Sequence, residues 1–164
     1  MFMANKTKDI DMGYKAILRE VREMEKEPYV KVGILKDEEH ESDSGETASM
    51  LVIASTHEFG SPTKNIPERS YLRSTADKER KRITGHLDRG IDDIIKGRST
   101  VMKTLSKVGL MFQSLVQQKI TSIKEPALKE ATIKRKGSSN PLIDTGQLRS
   151  SIRYEVVKKG KGRK

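Results

Sequence analysis

The sequence predicts an α+β fold in which a small sheet is packed by several helices, among them a long antiparallel pair. Two observations carry this prediction. Residues 29–35 and 150–157 alternate apolar and polar side chains as strands do, and they stand far apart in the chain. Between them, residues 73–96 and 100–123 repeat apolar side chains every three or four positions, the spacing of amphipathic helices. Distant strands with helices between them build a sheet that helices cover. Residues 1–157 are expected to form a single domain containing an acidic flexible loop, 36–47, and residues 158–164 a basic tail.

Taken in order, residues 10–27 place Ile10, Tyr14, Ile17, Leu18, Val21 and Met24 on one helical stripe. Asp9 or Asp11 can cap its start, and Pro28 stops it. In 29–35, Val30, Val32 and Ile34 share one side of a strand. Residues 36–47 hold six acids (Asp37, Glu38, Glu39, Glu41, Asp43, Glu46) against one lysine, too polar to bury themselves, and read as a loop. Residues 48–60 are apolar enough for a short buried helix, with Thr47 as its N-cap and Gly60 ending it. Two prolines and no period in 61–72 predict an extended loop with a short strand.

The first long helix carries Ala76, Ile83, Leu87, Ile91, Ile94 and Ile95 inward, with Asp77–Lys81 and Glu79–Arg82 as surface pairs. Gly97 closes it and Ser99 opens the next. That next helix carries Val101, Leu105, Val108, Phe112, Leu115, Val116, Ile120 and Ile123, and Pro126 breaks the pattern. Residues 128–137 read as a short helix. In the last strand Ile152, Tyr154 and Val156 share a side.

Composition bounds the function. Only 34% of the 164 residues are hydrophobic, so the core is modest and a partner chain is expected to complete some apolar surface. A net charge of +10 points to a polyanion or an acidic protein partner. Cysteine is absent, which excludes disulfides and thiolate metal sites. The chain has no run of about 18 apolar residues, so no membrane span is expected. Its start, "MFMANKTKDID", lacks the apolar centre of a signal peptide, and an intracellular product is expected.

One tripeptide raises the question of catalysis. Asp144-Thr145-Gly146 follows two apolar residues, as the catalytic carboxylate of an aspartic protease does. Such an enzyme needs two carboxylates supplied by two β-rich halves. Here only 18 residues follow Gly146, and the hundred before it are mainly helical. A structural role fits better: Asp144 and Thr145 accept hydrogen bonds from a following turn, and Gly146 supplies a bend. Leu142, Ile143 and Leu148 anchor the segment, and Asp144 can pair with Arg149 or Arg153. His40, His57 and His86 are scattered and read as surface or helix-face residues. No metal motif, phosphate loop or hydrolase nucleophile is present, so neither metal nor cofactor is expected. Few aromatics and dispersed cations argue against base reading and single-strand binding, leaving weak duplex contact.

Two segments together carry a family resemblance. "ASTHEFGSPTKNIPERSYLRSTAD" (54–77) and "PLIDTGQLRSSIRYEV" (141–156) resemble, in order, two phrases of the tailed-bacteriophage virion morphogenesis proteins, the tail-completion and neck group. "VKVGIL" (30–35) matches that family's early strand. The sequence departs from the pattern where Ser70-Tyr71 replaces Pro-Phe, and in the acidic insertion and basic tail. The resemblance implies a non-enzymatic virion protein, made in the bacterial host cytoplasm. It implies a hexameric ring at the head–tail junction, beside the head connector or adaptor and the tail tube or terminator, through which DNA passes. Glu58-Phe59-Gly60 and Ile66-Pro67-Glu68-Arg69 would then form a rigid corner packed by Phe59, Tyr71 and Leu72, with Arg69 or Arg73 paired to Glu58. Asp144, Thr145, Gly146 and Leu148 would complete the interface motif. The acidic loop and the tail cations (Lys158, Lys159, Lys161, Arg163, Lys164) are expected to order against neighbouring subunits, with transient duplex DNA contact as the tail's other role. The alternative reading is a small basic, non-enzymatic DNA-binding protein.

Overall fold

A computed structural model describes residues 11–35, 39–41 and 47–158. Its α+β order is α1 (Tyr14–Glu25), β1 (Tyr29–Ile34), β2 (Glu39–Glu41), β3 (Thr47–Ser49), α2 (Met50–Phe59), α3 (Arg73–Ile95), α4 (Val101–Ser122), α5 (Glu130–Lys136), α6 (Gln147–Ser151) and β4 (Ile152–Val157). β1 and β4 pair antiparallel, from Tyr29 opposite Val157 to Ile34 opposite Ile152. The predicted strand sides hold, with Val30, Val32 and Ile34 half-buried on β1 and Ile152 fully buried on β4.

Helix α4 is the spine. It packs against α3, β1 and β4, so both predicted strands and the predicted helix pair meet on one element. The approach is close at two glycines. A Cβ on Gly109 would stand 2.6 Å from Tyr154 and 2.7 Å from Val30, and one on Gly90 would stand 2.1 Å from Thr104. Any larger residue must push the sheet or α3 away from α4. The core proper gathers Met50, Ala54, Tyr71, Val116, Ile120, Ile123, Leu142, Leu148 and Ile152. It lies where α2, α4, α6 and the start of β4 converge.

Helix α1 attaches through one buried acid. Glu20 Oε2 accepts from the Val101 amide at 2.9 Å, satisfying a free N–H in the first turn of α4. Most of the predicted α1 stripe stays outside the core: Tyr14 is 67% exposed, and Val21 and Met24 are also exposed. Ile17 and Leu18 are half-buried.

Several expectations are corrected. Residues 36–47 are not wholly a loop, because Glu39–Glu41 pairs antiparallel with Thr47–Ser49. Backbone pairing formed there without an apolar alternation to announce it. Residues 61–72 hold a 3-10 turn, Pro62–Lys64, and a single bridge between Ser61 and Ile66 in place of a strand. The last strand starts at Ile152, since 147–151 are helical. Ser49 and Thr100, not Thr47 and Ser99, cap α2 and α4, each hydroxyl accepting from the amide three residues on. Asp77 pairs with Arg80, not Lys81. Asp11 does meet the start of α1, accepting from the Lys15 amide at 3.2 Å. Among the described residues no helix is long and apolar enough to cross a membrane.

Candidate functional site: the Glu58 corner and its cleft

Glu58 ends α2 on the inward side and is 4% exposed. Helix α3 begins after Leu72, whose side chain has no oxygen to cap it. Glu58 does this from another helix. Its Oε2 accepts from the amides of Tyr71 at 2.8 Å and Leu72 at 2.9 Å. Its Oε1 accepts from the Arg73 amide at 2.9 Å and the Ser70 hydroxyl at 2.7 Å. Burial opposes ionisation, but the donors from Leu72, Arg73, Ser70 and Tyr71 more than offset it, and the carboxyl is held below its ordinary range. A charge at a helix N-terminus is also favoured by the helix dipole.

The surrounding residues brace this corner. The Arg69 amide donates to the His57 carbonyl at 2.8 Å, and Ser61 and Ile66 exchange backbone bonds at 2.7 and 2.9 Å. Gly60 has φ of +77°, and a Cβ there would lie 2.9 Å from the Glu68 nitrogen, so only glycine fits. Tyr71 is buried and donates its hydroxyl to the Ala54 carbonyl at 3.3 Å. Leu72 packs against the core cluster. Pro67 is exposed and lines the cleft between the two phrases.

The two arginines divide the expected roles. Arg73 pairs with Glu58 at 3.5 Å and with Glu68 at 2.5 Å. Arg69 does not reach Glu58; its buried guanidinium donates through Nε and Nη2 to the Pro126 carbonyl, at 2.9 and 2.6 Å. This ties the corner to the chain beyond α4. Phe59 corrects a further expectation. It is 62% exposed, pointing away from the core, with the Arg73 guanidinium 5.0 Å from its ring centroid.

Of the role expected for the second phrase, the structure shows the apolar anchors, the Thr145 acceptor and the bend at Gly146. Leu142 and Leu148 are buried and Ile143 packs against them. The Gln147 amide donates to Thr145 Oγ1 at 3.3 Å, and Gly146 bends with φ of +80°. Among the described residues no ion pair joins Asp144 to Arg149 or Arg153, and Arg153 donates instead to the Ser150 carbonyl. Asp144 acts electrostatically on Lys136. Lys158 is exposed, while Lys159, Lys161, Arg163 and Lys164 lie outside the described residues.

The two phrases share a cleft of about 1160 Å³. Its lining includes His57, Gly60, Arg69, Lys136, Leu142, Asp144 and Gly146. His57 is the residue that sequence reasoning missed. It does not sit on an outer face: its Nδ1 is buried and has no hydrogen-bond partner among the described protein atoms. The spacing of Met50, Ala54, His57 and Glu58 on one side of α2 is the signal that reveals it. Burial, then the charges of Arg69 and Lys136, push its pKa down from 6.5 to about 4.

This displacement has a measurable consequence. The unfolded chain takes up a proton at His57 near pH 6.5, and the folded chain resists until about pH 4. Stability therefore falls as pH drops through that window and levels off below it, by roughly 3 kcal/mol from this group. Urea denaturation of wild type and His57→Gln across pH 4–7 checks it. The variant should lose less stability on acidification, and parallel curves would contradict the assignment.

Among the described residues no group of three or more His, Cys, Asp or Glu side chains is placed to hold a metal ion. No family model matches the chain, and no curated protein or solved structure matches it.

Proposed function

We propose that this chain is a structural virion protein of a tailed phage, working by assembly and making no covalent change in any substrate. Copies form a ring, hexameric by resemblance, at the head–tail junction, between the head connector and the tail proteins, with the genome passing through. The observation that carries this reading is exposed apolar surface among the described residues. Met12, just before α1, is 93% exposed, and Tyr14, Val21 and Met24 on α1 are exposed as well. Leu51, Val52 and Phe59 on α2 and Ile91 and Ile95 on α3 are also exposed. Apolar side chains left exposed on three helices offer surface for contacts between chains. The two resembling phrases supply the second support, because residues far apart in sequence build one braced corner around one cleft.

The rival reading, a basic DNA-binding protein, draws on the net charge of +10. Sedimentation of the purified chain separates the two. Assembly gives a species several times the 18.5 kDa chain mass, with duplex binding weak at ordinary salt. A chain that stays at its monomer mass and binds duplex with a steep salt dependence overturns the assembly reading.

A further inference from the structure

We propose that the cleft between the Glu58 corner and the Asp144 segment receives the acidic 36–47 segment of a second copy. This deepens the assembly reading and rests on it. Lys64, Arg69, Lys129 and Lys136 line the cleft against Glu68 and Asp144, an excess of two positive charges. Burial makes the charge of Lys136 costlier and Arg69 adds to this, while Asp144 acts on Lys136 in the opposite sense. A cleft short of negative charge is complementary to a segment of six acids and one lysine. At about 1160 Å³ it also exceeds the roughly 300–1,000 Å³ usual for a small-molecule site, which suits a stretch of polypeptide.

The geometry favours a neighbour's segment over the subunit's own. The β2–β3 hairpin is rooted at Ser49, the N-terminal end of α2, and touches the rest of the fold chiefly through α2. Met50 brings one edge of the cleft beside that root, but its charged groups Lys64, Glu68 and Arg69 follow the opposite end of the helix, where the His57 carbonyl holds the Arg69 amide. Eight residues of helix place His57 about 12 Å from the hairpin's root.

Charge reversal in two separate chains tests the proposal. One variant carries Lys64→Glu and Lys129→Glu, both exposed positions, and the other carries Glu38→Lys, Glu41→Lys and Asp43→Lys. Thermal melting confirms that each remains folded. Each alone should assemble at least about tenfold more weakly than wild type by sedimentation, and an equimolar mixture should recover assembly because each cleft then meets an opposite charge. If both variants assemble as wild type does, the cleft is not the docking site and the ring reading stands. Weakening without recovery in the mixture also overturns the proposal. If wild type itself never associates, the ring reading falls and takes this inference with it.

Discussion

Replacing Glu58 by alanine is expected to cost about 3–5 kcal/mol of unfolding free energy. Three backbone amides, the Ser70 hydroxyl and the Arg73 side chain lose their common acceptor in one change. Helix α3 has no side-chain cap at Leu72, and the Ser70 hydroxyl, which already accepts from the Ser74 amide, can serve only part of the lost acceptor's role. Glu58→Gln separates charge from shape. It keeps one carbonyl oxygen but turns an amide NH₂ toward donors, and it should lose a substantial part of the same stability. Domains of this size have about 5–15 kcal/mol in total, so the alanine variant should be partly unfolded in mild denaturant. Urea titration reads both. A change below about 1 kcal/mol for the alanine variant would mean that water serves the amides equally well.

The second large effect is expected at Ile120, which is fully buried in the core cluster. Ile120→Ala should cost about 2–5 kcal/mol, since the removed atoms lose their burial and leave a cavity. Ile120→Val should cost about 0.5–1.5 kcal/mol. Ile95→Ala provides the contrast, because Ile95 is 57% exposed. In the isolated chain it should change stability by no more than about 0.5 kcal/mol. Differential scanning calorimetry on the three variants orders them, and equal effects at Ile120 and Ile95 would contradict the assigned core.

What could be read in advance followed from periodicity. Val116, Ile120 and Ile123 announce the inner face of α4, and Val30, Val32 and Ile34 announce the sheet, because burial imposes a repeat on side chains. Leu142 and Leu148 are legible as anchors because they are apolar residues flanking a polar turn. The β2–β3 pairing was not, since backbone bonds between polar residues leave no such repeat. Helix α6, five residues long, is too short to show a period. The sequence suggested Glu58 as a partner for arginine. Its main partners are backbone amides, which every residue but proline carries and which no residue letter marks. Phe59 misled because an aromatic ring reads as core, whereas its position at the end of α2 turns it outward beneath Arg73.

The proposed function requires that copies of this chain close upon one another. Negative-stain electron images of the purified protein test that directly. Class averages with rotational symmetry around a central channel are the predicted result. Lone particles without symmetry, at concentrations well above those of an assembled virion component, would contradict it.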